Sequence, residues 1–266
     1  MGAGPKRTGN RVKDIAPDRL DLLNGGTVEA STLTECLGVD FAALLRAALP
    51  NVGEDAALTL EREAATGISR RMALAARLIL DQLGPTAVDR LRIHPSDTVR
   101  GWVCFMIGAM DGVALPDRLA MIRPLADDRH FGVREWAWLA VRPQLAADLD
   151  SAMALLSAWT ADPSERLRRF ASEATRPRGV WCAHIKALKQ KPEMALPILE
   201  PLRADPAAYV QDSVGNWLND ASKDRPDWVR ALCDRWKRES PCPATTRICK
   251  RALRSLSIKA GPGVTV

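Results

Sequence analysis

A motif repeated along the middle of the chain constrains its fold more than any other feature. In each copy an apolar residue is followed by arginine or glutamine, and the apolar residues are separated by 34, 34 and 43 residues. The apolar positions are Val99, Val133, Leu167 and Val210, and a weaker fifth copy has Arg247 at the basic position. Each motif opens a helix after a polar turn, and a second amphipathic helix precedes it. Helix pairs at this period are typical of α-solenoids, because one pair cannot bury its apolar face alone.

The remaining pattern is also helical, since strand-like alternation is nearly absent. Predicted helices include 31–37, 40–49, 117–125, 149–159 and 192–202. The pairs Asp162-Pro163 and Asp205-Pro206 have the form of a helix cap followed by a first-turn proline. We therefore predict an all-α, right-handed α-solenoid of five or six helix pairs.

We expect one domain over residues 1–266. Residues 1–93 form a helical cap, residues 94–259 form the repeats, and residues 260–266 form a tail. The segment Gly2–Thr8 has a superficial likeness to a phosphate-binding loop, but it lacks the required order of residues and a preceding strand.

Composition excludes several classes of function. No apolar run approaches the roughly 20 residues of a membrane helix, and no secretory signal is present, so we expect a cytoplasmic protein with reduced thiols. The six cysteines contain no C-x-x-C pair and the three histidines are scattered, which argues against a metal site or a histidine-based nucleophile. We expect no cofactor.

The positive charge is concentrated near the C-terminus. Residues 223–259 carry 11 basic and 4 acidic groups, whereas the rest of the chain is nearly balanced. Such a region favours a polyanionic partner, although a solvated basic face would have the same composition. The arginines of the repeated motif are equally open to two interpretations, a bond to the turn of the next repeat or a contact to a ligand in the groove.

Two segments contain candidate site residues, and the first of them departs from the repeat. Residues 172–181 place a glutamate on a helix before an Arg-Pro-Arg loop and Trp181, which suits phosphate binding by the guanidiniums and stacking by the indole. Residues 213–224 place Asn216, Asn219, Asp220 and Lys223 at spacings of three and four on one helical face. A solvent-facing loop and a solvated face are the alternatives.

These segments, with Phe131–Trp138, resemble the HEAT-like-repeat alkylpurine DNA glycosylases, and the AlkC branch more than the AlkD branch. The resemblance extends from about Leu23 to Lys259. It implies a HEAT-like fold, a monomer that acts on double-stranded DNA with alkylated bases, and excision of N-alkylated bases, chiefly 3-methyladenine, by hydrolysis of the N-glycosidic bond in base excision repair. By motif position, it implies catalytic roles for Glu135, Glu173, Trp181 and Asp220. The DNA-binding residues we predict are Arg134, Arg168, Arg169, Arg176, Arg178, Asn216, Asn219, Lys223, Arg247 and Arg251.

The chemistry is consistent with these residue types. A 3-alkylated purine is cationic, so its glycosidic bond is labile and needs no general acid. A carboxylate near the deoxyribose stabilises the developing positive charge and can orient water, and an indole face attracts cations. Two alternatives remain: a HEAT-type protein scaffold, and a DNA-binding protein without catalysis. We expect neither membrane association nor a metal.

Overall fold

The computed structural model describes residues 11–179 and 181–259, and every regular element in these ranges is helical. The α-helices are α1 (Pro17–Asn24), α2 (Leu33–Gly38), α3 (Phe41–Ala48), α4 (Glu54–Arg62), α5 (Ile68–Leu83), α6 (Ala87–Leu91), α7 (Asp97–Ala109), α8 (Leu115–Ala126), α9 (Phe131–Ala147), α10 (Leu149–Ser157), α11 (Glu165–Ala174), α12 (Lys186–Gln190), α13 (Leu196–Leu199), α14 (Ala208–Ala221), α15 (Pro226–Glu239) and α16 (Pro243–Lys259). Four short 3₁₀ helices join them: Val12–Asp14, Pro50–Val52, Ala158–Ala161 and Pro192–Ala195.

The predicted all-α class is confirmed. All six cysteines are free thiols. Across the described part of the chain, no helix combines the length and apolarity that a bilayer crossing requires. The predicted tail at 260–266 and the glycine-containing segment at 2–8 lie outside the described residues.

The chain divides into two compact units. The first contains the described residues up to Val113 together with Asp128–Ala140, and the second contains Ala114–Asp127 and the chain from Val141 onward. Helix α9 contributes to both units. The predicted boundary between cap and repeats, near residue 93, lies inside the first unit.

Close helix packing and a buried polar cluster hold the first unit together. A Cβ atom on Gly108 of α7 would lie 2.4 Å from the carbonyl oxygen of Ala140 in α9, so glycine lets the two backbones meet. At the other end of α7, the Asp97 carboxylate accepts from the Ala30 amide at 2.9 Å and lies 3.7 Å from the Cys36 Sγ. His130 completes this cluster: its Nε2 donates to the Ala30 carbonyl at 2.6 Å.

The second unit consists of two layers of helices. Helices α11, α14 and α16 pack side by side in chain order. Behind them, α8 packs on α10, and α10 packs on α13, while α15 contacts both α14 and α16. Trp217 of α14 and Trp236 of α15 are fully buried between these helices. Each helix of this unit therefore buries its apolar face against its neighbours, as a repeat architecture requires.

The structure explains the repeated motif. Its basic or amide side chain donates to the two backbone carbonyls that lie five and six residues earlier, at 2.7 to 3.4 Å. The residues that do so are Arg100, Arg134, Arg168 and Gln211. In these four copies the motif therefore fastens a helix to the turn that precedes it, whereas Arg247 of the fifth copy donates to the Ala208 carbonyl at 3.1 Å.

Two of these arginines also reach the next turn of the repeat. Arg100 bonds the Asp128 carboxylate at 2.9 and 3.2 Å, and Arg168 bonds the Asp205 carboxylate at 2.6 and 3.1 Å. The planar guanidinium forms both bonds at once, which gives these links a defined geometry.

The aspartates of the Asp-Pro pairs are not helix caps, so that prediction was wrong. Helix α11 begins after Ser164, and α14 begins after Ala207. The Asp162 carboxylate accepts from the Ser164 amide at 2.9 Å, and the Asp205 carboxylate accepts from the Ala207 amide at 2.8 Å. Each aspartate thus stabilises the turn that immediately precedes the helix.

Candidate functional site

Two buried carboxylates in the second unit lie against a single guanidinium. Arg176 Nη1 donates to Glu173 Oε1 at 2.7 Å, and Arg176 Nε donates to Asp220 Oδ2 at 2.9 Å. Arg176 Nη2 is 2.8 Å from the same aspartate oxygen. Glu173 is 3% exposed and Asp220 is 5% exposed. We call Glu173 and Asp220 the carboxylate pair.

The local fold brings the pair together. Glu173 lies in the last turn of α11, and Asp220 lies in the last turn of α14, which packs on α11. Small side chains line the contact: Ser172 donates to Ser213 at 2.8 Å, and Ser213 donates to Glu173 Oε2 at 2.7 Å. The neighbouring layer of the repeat therefore supplies both the second carboxylate and a hydrogen bond to the first.

Electrostatics keep Glu173 ionised. Burial alone would raise the pKa of this carboxyl, but Arg169, Arg176 and the Ser213 hydroxyl together hold its pKa below the usual value. Arg169 lies 3.6 Å from Glu173 Oε2 and stacks over the Tyr209 ring at 4.4 Å. For Arg176, burial acts to lower the pKa, but Glu173 and Asp220 outweigh it, so the pKa is raised and the guanidinium stays charged.

The loop after Glu173 is held by two buried side chains that the sequence did not single out. Arg142 of α9 donates to the carbonyls of Ala174 at 2.8 Å, Arg176 at 2.5 Å and Ala183 at 3.3 Å. Trp217 Nε1 donates to the Thr175 carbonyl at 2.9 Å. No motif around Arg142 marks it, because its partners are backbone atoms some 32 to 41 residues later.

Trp181 stands at the tip of this loop with 51% of its surface exposed. Among the described residues other than glycine, it alone has a positive φ, 62°. That conformation is uncommon for a bulky residue and is found at turns and strained functional loops. A Cβ atom on Gly179 would lie 2.1 Å from the Cys182 Sγ, so a larger residue at this position would require the Cys182 side chain to move. The indole is thus presented to solvent by a tightly folded loop.

A basic surface adjoins the loop. Arg178 forms a two-pronged ion pair with Asp224, with its Nη2 at 2.9 Å from both carboxylate oxygens. Lys223 Nζ lies 3.3 Å from Asp220 Oδ1 and keeps 45% of its side chain exposed. Next to them is a cavity of about 530 Å³. It is lined by Lys186, Lys189, Gln190, Asp224 and Arg225. The sequence did not point to Lys186 and Lys189, which follow the loop on the short helix α12.

The predicted residues of α14 and α16 contact one another. The Asn216 amide oxygen accepts from Arg251 Nε and from Arg254 Nη1, both at 2.9 Å. Asn219 is buried, and its amide nitrogen donates to the Ala252 carbonyl at 3.0 Å. Arg247 pairs with Asp212 at 2.7 Å. Asn219 therefore fastens α14 to α16, whereas the guanidiniums of Arg247 and Arg251 remain partly exposed.

The other predicted residues are engaged in the repeat. Arg168, and Arg134 in the first unit, donate to the turns described above. Glu135 also belongs to the first unit, where it is half-buried and accepts from Trp138 Nε1 at 2.8 Å. Glu173, Trp181 and Asp220 belong to the second unit.

Comparison with known proteins finds, over part of the chain, a family of the kind that the sequence motifs resemble. Residues 132–248 match the family described as DNA alkylation repair enzyme. This segment contains all four residues to which the resemblance assigns catalysis. Over 117 residues, the chain is 45% identical to the uncharacterized protein YhaZ of Bacillus subtilis (strain 168), a match that covers 44% of this chain and 32% of that protein.

Solved structures share the fold. The Pseudomonas fluorescens alkylpurine DNA glycosylase AlkC, bound to DNA containing an abasic site analog, matches with a TM-score of 0.68 and 26% identity, covering 93% of this chain and 67% of that one. AlkD2 from Streptococcus mutans matches with a TM-score of 0.52 and 20% identity over 80% of this chain and 96% of its own, which shows the fold alone. The resemblance to the AlkC and AlkD type of protein, with AlkC as the nearer branch, is confirmed.

Proposed function

We propose that the protein is a DNA glycosylase that excises cationic N-alkylated bases, chiefly 3-methyladenine, by hydrolysis of the N-glycosidic bond. The observation that carries the proposal is the buried carboxylate pair, held by Arg176 beside a loop that exposes Trp181. This arrangement lies within the segment that matches the DNA alkylation repair family. The similarity to a DNA-bound glycosylase supports double-stranded DNA as the partner.

The reaction follows from the charge of the lesion. As the C1′–N bond breaks, its electron pair leaves with the base and neutralises the base, while positive charge develops on the sugar. Two fixed carboxylates stabilise that charge without reorganising, because Ser213 and Arg176 already hold them in place.

Hydrolysis is completed by water. The water oxygen forms the new bond to C1′, and its proton passes to a carboxylate or to solvent. Because its pKa is lowered, Glu173 carries no proton at neutral pH and can accept this one. Neutral lesions are expected to be poor substrates, because their bases require protonation before they leave. We propose that Glu135 also has a catalytic role, as its motif implies.

Binding is proposed to use the basic surface around the loop. Arg178, Lys223 and the lysines of the cavity flank Trp181 along the chain, and phosphates satisfy such cations well. The exposed indole then stacks on a base or lies over the cationic sugar. We propose that the protein acts in this way as a monomer in the cytoplasm.

The direct test is the release of free bases from alkylated duplex DNA. Genomic DNA treated with a methylating agent is incubated with the protein, and the small molecules released are separated and identified by mass spectrometry. We expect 3-methyladenine as the main product. Retained binding to the DNA without release of any base would favour a non-catalytic DNA-binding protein, and the absence of both binding and release would favour a protein scaffold.

A further inference from the structure

Arg176 uses its side-chain donors on the carboxylate pair. The Nη1, Nε and Nη2 atoms all lie within 3 Å of a carboxylate oxygen of Glu173 or Asp220, and only 16% of the side chain is exposed. Its own carbonyl accepts from the buried Arg142. Both ends of the residue are therefore fixed inside the protein, which differs from the behaviour of a phosphate contact on a solvent-facing loop.

The pair needs this cation. Two carboxylates that share a buried site repel each other, and burial disfavours the charged form of each. Arg169 contacts Glu173, and Lys223 contacts Asp220, whereas Arg176 contacts both. Without Arg176, each acid would therefore keep only one cation within 4 Å among the described residues: Arg169 at 3.6 Å from Glu173, and Lys223 at 3.3 Å from Asp220.

We propose that Arg176 is a positioning residue for base excision: it holds Glu173 and Asp220 together as a preformed pair of anions, and it is not a contact to DNA phosphate. This inference rests on the proposed function. It replaces the DNA-binding role that the Arg-Pro-Arg loop suggests, and it separates Arg176 from Arg178, whose partner Asp224 lies beside the basic cavity.

Each element packed against the carboxylate pair contributes a charged or titratable group. Arg169 of α11 faces Glu173, and Lys223 follows α14 beside Asp220. Arg142 of α9 and Cys182 of the loop also act on this region electrostatically, as does Arg254 of α16. The pKa of the Cys182 thiol is raised by burial, so it adds no negative charge near neutral pH. The negative charge of the site thus resides on the two carboxylates.

The first experiment is the pH profile of single-turnover excision for Arg176→Ala and Arg176→Lys, with saturating protein. In the alanine variant, the buried Glu173 loses one of the two cations that lower its pKa, so a larger fraction of this carboxyl is protonated. We expect excision at pH 6 to fall by about 10²–10³-fold, the scale for an aimed electrostatic group. It should recover by at least tenfold toward pH 8.5. Lysine restores the positive charge but not the planar guanidinium that bonds both acids at once. The excision rate of Arg176→Lys should therefore stay within about tenfold of wild type.

The matched control is Arg123→Ala. Arg123 is also an arginine of the second unit with an aspartate partner, Asp162 at 2.5 Å, but it lies outside the site. This variant should excise at the wild-type rate over the same pH range. The affinity of Arg176→Ala for undamaged DNA should change by less than about threefold, and the slope of its salt dependence should equal that of wild type.

The second readout is thermal unfolding of the DNA-free protein, which does not require activity. In wild type the lowered pKa of Glu173 stabilises the fold above pH 4.3 or so, and this contribution is lost as pH falls through the folded pKa. In Arg176→Ala the dependence should reverse, with a higher melting temperature at pH 5 than at pH 7.5. If the alanine variant does not fold, the melting temperatures of Arg176→Lys at the two pH values are compared with those of wild type instead.

The outcomes are distinct. A wild-type protein that releases no base contradicts the proposed function. An active wild type, with an Arg176→Ala variant whose pH profile parallels it and whose DNA affinity and salt slope both fall, contradicts this inference alone, because Arg176 would then be a phosphate contact.

Discussion

The two units each contain a buried polar cluster, and the clusters differ in how their polar groups are satisfied. In the first unit, Asp97 and His130 bond to the backbone of Ala30, and Gly132 donates to the remaining ring nitrogen. In the second, Glu173 and Asp220 depend on the side chain of Arg176. Backbone partners fix a fold, whereas charged side-chain partners leave a field that acts on a bound molecule.

Their surroundings differ in the same sense. The cluster of the first unit is covered, with each member at most 7% exposed. The carboxylate pair is equally buried, but the loop that carries its arginine continues to the exposed, positive-φ Trp181. Burial of polar groups by itself therefore does not mark a functional site. Buried ionisable side chains beside an exposed loop with a positive φ are the more informative combination.

The largest effect that would separate the clusters is the loss of catalysis. We expect Glu173→Gln and Asp220→Asn each to cut single-turnover excision by about 10²–10³-fold, because each removes one fixed negative charge. The affinity for DNA should stay unchanged or rise slightly, since the carboxylates repel phosphate. Glu165→Gln, an exposed position on the same helix α11, is the control and should excise normally. Wild-type rates in both variants would remove the carboxylate pair from the active site.

The first cluster should respond through stability instead. Asp97→Ala leaves the buried Ala30 amide without its acceptor, and we expect the free energy of unfolding to fall by about 1–3 kcal/mol. Urea denaturation measures this loss. Asp89→Ala changes an aspartate whose side chain is 87% exposed, and it should stay within about 0.5 kcal/mol of wild type. The rate of excision per folded Asp97→Ala molecule should equal that of wild type; a loss there would give the first cluster a catalytic role.

The clusters should also lose stability at opposite ends of the pH scale. The pKa of Glu173 is lowered, so its contribution is present above the unfolded value of about 4.3 and is lost below it. Burial and Asp97 raise the pKa of the Cys36 thiol, so its contribution is present below the unfolded value of about 8.5 and is lost as pH rises. Melting temperatures from pH 3.5 to 10 should show both declines, and Cys36→Ala should flatten the alkaline one. An unchanged alkaline decline would assign it to the other buried thiols.

Much of this could be predicted from the sequence because it is local. The helix pairs follow from apolar spacing, and the 34-residue repeat follows from a side chain that bonds five and six residues back along the chain. Glu173, Trp181 and Asp220 could also be selected from the sequence, because each lies in a motif that resembles the alkylpurine DNA glycosylases. The spacing of the motif could not by itself decide between its structural and ligand-binding interpretations. The carbonyl contacts of Arg100 and Arg168 favour the structural one.

The rest depends on contacts between distant parts of the chain. Arg142 holds the loop through carbonyls, and a carbonyl has no residue type that a motif could reveal. The cluster at Cys36, Asp97 and His130 joins three segments whose spacing matches no metal or catalytic pattern. The buried state of Asn219 follows from how α14 packs on α16, whereas its spacing placed it on a polar face.

A smaller effect concerns DNA affinity in the second unit. Arg178→Ala and Lys223→Ala should each weaken binding to any sequence and flatten the salt dependence by about 0.9 in log–log slope, the value for one released phosphate contact. Lys186→Ala tests whether the cavity extends the binding surface, and it should have the same effect if a phosphate binds there. Lys237→Ala is the control: Lys237 pairs with Asp234 on α15, and its loss should leave the affinity and the salt dependence unchanged. Affinity that does not depend on salt would contradict the basic surface.

The smallest expected effect is that of a chelator, and it bears on the first cluster. Cys36, Asp97 and His130 bring three possible ligand atoms within 4.8 Å of one another, and they form the one such group in the described part of the chain. Each residue already has a protein partner: Asp97 accepts from Ala30, His130 Nδ1 accepts from Gly132, and Cys36 Sγ donates to Asp97. We therefore expect EDTA to change neither the melting temperature nor the excision rate. A fall in melting temperature that zinc restores, and that Cys36→Ala abolishes, would instead show that the first cluster binds a structural metal ion.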